Sequence, residues 1–568
     1  MIEIENTSFL KSERLDTADI RIDKKSLKNG INKIGDHFIM YHDEKVVFVV
    51  NNICDHNAGR LIQKGENAVC PLHGWVLNLT TLKYDNEIEK TKLKFTEDSE
   101  FIYVENVQES IEFPSLFRNI HPCQIDFISH ACIRILFNGV SIITDPWLIG
   151  SAFMNGWWLK YPPKEDAIDM LKSADIIYIS HNHPDHLHVE TLKEYVSQDQ
   201  LIVTANFKSK SSEKVLRHAG FNNIIPLDFK NVYKVKNVDI QFSVLKSGDF
   251  RDDSGLYLNV GNKKLLLTVD SNYINSFSLP QNLDVLFTSF AAGASGFPVC
   301  FEDYSKEEID KVIQRNKNAI LVKNMDIIGL TTPKIYYPYA GFFTESAARD
   351  NIIKEANDKN SVERVRNFIN KKYADIKVID PIKNDTLVLG NDSLLYSRDC
   401  KRIYNTDHSY TENYINNYKS GYKENTESVK KYFEQSGFKD NLILVLQLTN
   451  DNFEQIGANY IIDFSAASPN IEQVHLDCIP PLMSNPDMDK RILRIKVRTE
   501  SLMCVIDNFL PWEDLSIGFQ CRISRIPNVY NQDFWYHFTN IYIAKKNFRY
   551  SAYCGACNVL DQNPKYIH

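Results

Sequence analysis

Cysteine is sparse in this chain of 568 residues, eleven in all, which is too few for a disulfide scaffold. Thiols that matter are therefore expected to bind metal or to sit in a core. No run approaches the ~18 consecutive apolar residues of a membrane-spanning helix. The opening Met1-Ile2-Glu3-Ile4-Glu5-Asn6 lacks the charged-then-apolar order of a secretory signal. Membrane insertion and secretion are disfavoured, and a cytoplasmic address is expected. Basic runs are missing as well: 65 lysines and arginines are dispersed among 73 acidic residues, for a net charge of -8. That balance argues against nucleic-acid binding, while leaving room for a local basic pocket that takes a small anion. Repeats and low-complexity stretches are also absent, and the length suits about three to four domains.

Three textures follow one another. Over residues 1–110, short apolar runs such as Val46-Val47-Phe48-Val49-Val50 alternate with turn-rich segments and predict a small all-β domain. Over 111–390, β-like runs (Ile133 to Phe137, Ser141 to Thr144, Ile176 to Ile179) alternate with helical patterns such as Glu165 to Ser173, predicting a layered α/β sandwich. The remainder, 391–568, mixes a polar Asn/Tyr/Lys-rich stretch with strands such as Leu442 to Leu446 and reads as an α+β region. The whole is a multidomain α+β chain.

Two Cys/His pairs fall inside the first texture. Cys54-Asp55-His56 is followed, after thirteen intervening residues, by Cys70-Pro71-Leu72-His73-Gly74-Trp75. A structural zinc finger usually groups its cysteines in one half and its histidines in the other, whereas here each half supplies one of each. A Rieske [2Fe–2S] centre needs this division, because two thiolates hold one iron and two imidazoles the other. Cys54, His56, Cys70 and His73 are the candidate cluster ligands, with a zinc knuckle as the alternative. The second half resembles the Rieske motifs of ring-hydroxylating and related oxygenases.

A second constellation follows the strand Ile176 to Ser180. His181-Asn182-His183-Pro184-Asp185-His186-Leu187-His188 holds four of the fifteen histidines within eight residues. His181 and His183 fall on one side of an extended turn, and Asp185 with His186 can face a second metal position. The pattern resembles the metallo-β-lactamase signature, and that resemblance implies that Asp145 of Thr144-Asp145-Pro146-Trp147 orients ligands. It also implies that Asp270, at the end of Leu265 to Asp270, bridges metals. Two further histidines of that signature have no counterpart. Lys246 to Arg251 offers Asp249 in place of one, and Tyr337 to Phe343 offers none. A site with open coordination positions suits O2 chemistry at non-haem iron better than dizinc hydrolysis. His188 is read as a bystander and His130 as structural or supporting.

Hydrolysis consumes no electrons, so a one-electron carrier on the same chain points to redox-active iron in the second site. Over nearly its whole length the chain resembles the CMP-N-acetylneuraminate hydroxylases. The resemblance rests on the Rieske motif, Asp145 to Leu148, Gly156 to Leu159 and Tyr178 to His186. It continues through Phe290 to Pro298, Ala340 to Ser346, Leu515 to Gln520 and Phe534 to Phe538. It implies a Rieske domain joined to a metallo-β-lactamase-like domain and a monooxygenation. The N-acetyl methyl of a CMP-activated sialic acid becomes N-glycolyl, with O2 and NADH-derived electrons that reach the cluster through an external carrier. The carrier is cytochrome b5 in vertebrate members, and a bacterial ferredoxin with its reductase is the alternative here. The iron, one atom or two, would draw its ligands from His181, His183, Asp185, His186 and Asp270, with Asp249 as a further candidate.

Asp270 and Glu345 are the catalytic candidates, Glu345 either binding substrate or relaying a proton, or simply standing as a solvated carboxylate at a helix start. Gly293 to Phe297 reads equally as a ligand loop or as turns. Cys554-Gly555-Ala556-Cys557 reads as structural thiols. Other readings stay open: the same oxygenase acting on another N-acylated or amine substrate, and a zinc hydrolase with a redox-sensing Rieske centre. A homo-oligomer is compatible with all of them.

Overall fold

A computed structural model describes residues 2–15, 17–55, 59–71, 75–84, 88–106, 108–114, 121–248, 251–390, 394–397, 409–466, 468–474 and 490–544. His56, His73, Asp249 and the Cys554/Cys557 pair lie outside the described residues.

The β unit is built of three-stranded antiparallel sheets. One joins Gly30–Ile34, His37–His42 and Lys45–Asn51, and a second joins Ile62–Lys64, Asn67–Val69 and Val76–Asn78. The alternation of strand side chains explains its two cores. Phe48 and Val50 face a core that holds Cys54, Cys70, Trp75 and Tyr84, and Val49 faces a second core around Ile22, Ile39 and Ile102. Both ends of this unit are tied to the rest of the molecule. The first strand, Ile4–Phe9, pairs antiparallel with Asn231–Val235 and so belongs to the central sandwich. It covers a sheet edge that would otherwise be open. Lys11–Arg14 then pairs with Glu109–Glu112, and the Ile111 amide donates to the Leu279 carbonyl (3.4 Å).

The central region is an αβ/βα sandwich of two eight-stranded sheets. Period-2 patterning places its layers. Ile176 and Tyr178 face the core between the sheets, while Ile177 and Ile179 face the outer layer with Met170, Leu192 and Leu216. On the far side, Lys306–Thr331 begins with a capping box between Ser305 and Glu308 and sends Leu321, Ile327 and Ile328 into the main core.

The C-terminal region is a five-stranded mixed sheet, in the order Asn470–Val474, Gln455–Asp463, Leu442–Thr449, Arg491–Arg498, Cys521–Ile526, covered by helices that include Thr499–Asn508 and Gln532–Ala544. Its core is shared with the central region, since Trp147, Phe153, Trp157 and Phe343 pack into the cluster of Leu444, Trp512 and Phe538. The observed architecture is therefore the α+β arrangement that the sequence predicts, with the C-terminal region built onto the sandwich. Among the described residues no helix is long and apolar enough to cross a membrane.

His537 lies in this shared core with its Nε2–H donating to the Ser436 carbonyl (2.8 Å), and burial pushes its imidazole down to about 4 from an ordinary 6.5. Above about pH 6.5 neither the folded nor the unfolded chain carries the proton. As pH falls towards about 4 only the unfolded chain binds it, so up to roughly 3 kcal/mol of stability is lost across that window. His537→Gln keeps a donor without titrating. Urea unfolding followed by tryptophan fluorescence should show a flatter loss of stability with acid in that variant, and an unchanged slope would contradict the assignment.

Candidate metal centre

The metal-ligating side chains collect where strands of both sheets end. His130 follows Cys123–Ser129, Asp145 follows Val140–Thr144, the histidine turn follows Ile176–Ile179, and Asp270 lies three residues beyond Lys263–Leu267. His130, Asp145 and Val269 adopt left-handed backbone conformations (φ 36°, 38° and 53°). Non-glycine residues pay of order 1 kcal/mol or more for this, and such strain gathers at functional sites.

Two adjoining groups of donors result: His130, Asp185 and His186, and His181, His183 and Asp270. Tautomers assigned from the hydrogen bonds show what each imidazole offers. Ser180 donates from its amide and hydroxyl to Asp145 (2.8 and 2.7 Å), so His181 Nδ1–H donates to Ser180 Oγ (2.9 Å) and Nε2 keeps its lone pair. His183 Nε2–H points to Glu513 Oε1 (3.4 Å), leaving the lone pair on Nδ1. His186 Nδ1–H donates to Asp145 Oδ2 (2.9 Å), leaving the lone pair on Nε2.

These lone pairs converge. His181 Nε2 and His183 Nδ1 stand 2.9 Å apart, and His186 Nε2 stands 3.4 Å from Asp185 Oδ2 and 3.5 Å from Asp270 Oδ2. Donors bonded at about 2.0–2.2 Å to a single ion stand about 3 Å apart at a right angle and about 3.5 Å apart at a tetrahedral angle. Buried His186 Nε2 and Asp185 Oδ1 meet no hydrogen-bond partner, which is costly in an apolar interior unless a cation satisfies them. The residues therefore fit a metal.

The electrostatics agree. Burial, followed by the neighbouring His186 and His183, pushes the His181 imidazole well down and keeps it neutral. Although burial opposes its charge, His186 is pushed well up by Asp185, Asp145 and Asp270, which face it. The same carboxylates would favour a dication there, whose binding displaces that proton. His183 is raised to about 9, against burial, by Glu513, Asp514 and Asp185.

Of the residues singled out from the sequence, His181, His183, Asp185, His186 and Asp270 come together here. Glu345 belongs to neither donor group. Buried, it pairs with Lys359 Nζ (2.8 Å) and accepts from Asn357 (3.0 Å), and the Lys359 ammonium lies 4.7 Å from the centre of the Phe343 ring. His188 caps Val189–Tyr195 by accepting the Thr191 amide (3.1 Å), and burial pushes it down to about 4. Sequence reasoning read His130 as structural or supporting, and its Nε2 lies 3.1 Å from Asp185 Oδ2. Sequence reasoning missed Asp253, 3.6 Å from His181 Nδ1, and Glu513, 330 residues beyond His183. A histidine ending a strand was the available signal for His130; nothing local announced Glu513.

Cys54 and Cys70 are both buried in one packed core, each on its own loop. The Tyr84 phenol is pushed well up by burial and by the charges of Cys54 and Asp55. Its hydroxyl donates to Asp55 (2.6 Å), which also pairs with the buried Lys90 ammonium (3.0 Å). Two thiols converging on one core suit the thiolate half of a [2Fe–2S] cluster.

Residues 15–92 match the Rieske [2Fe-2S] domain model and residues 124–259 the Beta-lactamase superfamily domain model. The cytidine monophosphate-N-acetylneuraminic acid hydroxylase of Pan troglodytes is 30% identical over 567 residues, covering 90% of this chain and 91% of that protein. The chain belongs to the cytidine monophosphate-N-acetylneuraminic acid hydroxylase family. The Danio rerio member is 29% identical over 92% of this chain and 93% of its own length. Among solved structures, CmlA, a diiron β-hydroxylase from Streptomyces venezuelae, matches at 15% identity and a TM-score of 0.31, over 49% of this chain and 55% of that one, a likeness too slight to carry an argument. As a family member the protein is a Rieske-type oxygenase, with a Rieske [2Fe–2S] cluster as a cofactor.

Segments that resemble this family meet in space. Phe343 stacks on Trp157 (ring centroids 3.6 Å apart), whose indole N–H donates to the Ile517 carbonyl (2.9 Å). A Cβ on Gly156 would collide with the Gly518 carbonyl, and one on Gly296 with Ser516. Close backbone packing thus accounts for Gly296 in the stretch that also read as a ligand loop. If Asp145 holds the metal loop, Asp145→Asn should weaken metal binding about 10–100-fold, measured by chelator competition. Unchanged affinity would contradict that role.

Proposed function

We propose that this protein hydroxylates the N-acetyl methyl group of a CMP-activated sialic acid, giving the N-glycolyl product. The reaction consumes one O2, two electrons and two protons, and releases one water. Electrons would come singly from NADH through an external protein carrier, cytochrome b5 or a ferredoxin with its reductase. The observation that carries this reading is near-full-length similarity to proteins of that name, in a chain whose converging imidazole lone pairs suit a buried metal.

In this reading His181, His183, Asp185, His186 and Asp270 hold the iron, one atom or two, and His130 borders the second position. Cys54, His56, Cys70 and His73 hold the cluster, and Asp249 is a further candidate ligand in the same proposal. When bound, non-haem iron supplies O2 activation and the cluster supplies single electrons. The chain's own residues do the rest. Asp145 fixes His186 and, through Ser180, His181. Trp147, 5.4 Å from the His130 ring, and the stacked Trp157 and Phe343 wall off that side of the centre from water. Lys359, held by Glu345 over Phe343, gives this wall a cation suited to an anionic nucleotide sugar.

Turnover of CMP-N-acetylneuraminate under 18O2, with a chemical or protein reductant, should place one labelled oxygen in the product, read by mass spectrometry, and Asp270→Ala should abolish it. Label drawn from water, or cleavage of the substrate without oxygen insertion, would overturn the proposal.

A further inference from the structure

One segment of the C-terminal region touches both cofactor positions. On the cluster side, Tyr536 is buried in the core that contains Cys54 and Cys70, and Tyr530 packs against it. Tyr530 also packs against the shared core of the central and C-terminal regions. On the metal side, Glu513 Oε1 lies 3.4 Å from His183 Nε2, the nitrogen opposite the lone pair that faces His181. The two sides are tied together. The Glu513 amide donates to Thr539 Oγ1 (3.3 Å) and the Trp512 amide to the Phe538 carbonyl (3.3 Å), both in the helix Gln532–Ala544 that carries Tyr536.

The β unit is held against this segment from other directions as well. Arg60 pairs with Asp326 on the helix Lys306–Thr331 (2.7 Å). Tyr273, three residues past Asp270, is near enough for Asp55 beside Cys54 to raise its phenol, after burial. The first strand of the chain pairs with the central sheet, and the strands Lys11–Arg14 and Glu109–Glu112 that flank the β unit pair with each other. Electron tunnelling falls exponentially with distance, so contacts that fix the β unit against the central region favour a route inside one chain.

Resting on the proposed function, we infer that electrons pass from the cluster to the metal centre within a single chain, across the segment Trp512–Phe538, with Glu513 as the positioning residue that fixes His183. With both groups bound, the step would move one electron from the reduced cluster, oxidising it, to the ferric metal centre, reducing it to ferrous. No bond forms or breaks, and the one-electron protein carrier resupplies the cluster. Glu513 accepts the His183 Nε2–H, which keeps Nδ1 directed at the metal and raises its basicity.

Two variants test this together: Cys54→Ser with Cys70→Ser, which removes the cluster, and His181→Ala with His186→Ala, which removes the metal. Mixed or co-expressed, they should stay inactive, and the reduced cluster of the second should not be reoxidised faster in the presence of the first. Restored turnover would place the route between chains and overturn the inference.

Glu513→Gln in the otherwise intact enzyme should keep the cluster's EPR signal and slow single-turnover reoxidation of the cluster roughly tenfold or more, with Glu513→Asp regaining part of the rate. Reoxidation at the wild-type rate would remove Glu513 from the route. A wild-type chain with no Rieske signal would defeat the proposed function instead.

Discussion

Everything at the metal centre hangs on the carboxylate of Asp145. Held at the end of Val140–Thr144 in a left-handed conformation, it accepts the Ser180 amide, the Ser180 hydroxyl and His186 Nδ1–H. Those bonds decide which nitrogen of His186, and through Ser180 which nitrogen of His181, is left with a lone pair. A neutral side chain there would accept less strongly and leave the imidazoles free to turn. The backbone strain at Asp145 is sustained because the surrounding network fixes the residue from several sides.

From that anchor the molecule reads outward in layers. The sandwich brings strand ends from two sheets to one place, the histidine turn supplies donors from one side and Asp270 from the other, and the buried hydroxyls of Tyr178 and Ser254 join the sheets beneath them (2.9 Å). The C-terminal region closes the remaining side. Its Glu513 reaches His183, and Trp157 lies between Phe343 and the Ile517 carbonyl. The shared aromatic core packs this region against the cluster of metal-ligating side chains, and truncating a buried aromatic of this size costs about 3–5 kcal/mol in typical cores.

How much of this was legible in the sequence follows from the range of the interactions. Ile176 to Ile179 announced a buried strand because four apolar residues in a row can serve two cores at once, and His181 to His188 pointed to metal by composition and spacing. The division of Cys54, His56, Cys70 and His73 into two mixed pairs pointed to a Rieske centre by ligand chemistry. The first strand, Ile4–Phe9, was not legible, because its partner lies more than 220 residues away and its polar alternation, IENTSF, suits any sheet edge. His130 was legible only as structural or supporting because one histidine after a strand has no pattern, and its bond to Asp185 depends on the turn that carries that residue. Glu513 was invisible for the same reason at greater distance. Gly296 read equally as ligand loop or turn because a glycine that permits close backbone packing and one that permits close ligand approach look alike in sequence.

The central claim is that one chain carries two different iron sites, a Rieske cluster and a separate non-haem centre. Iron, zinc and acid-labile sulfide measured on anaerobically purified protein, with an EPR spectrum after dithionite reduction, test it most directly. The account predicts two sulfides per chain, iron in excess of the cluster's two atoms, and a Rieske-type signal. Iron no greater than the cluster requires, with zinc filling the second site after iron-replete expression, would contradict it.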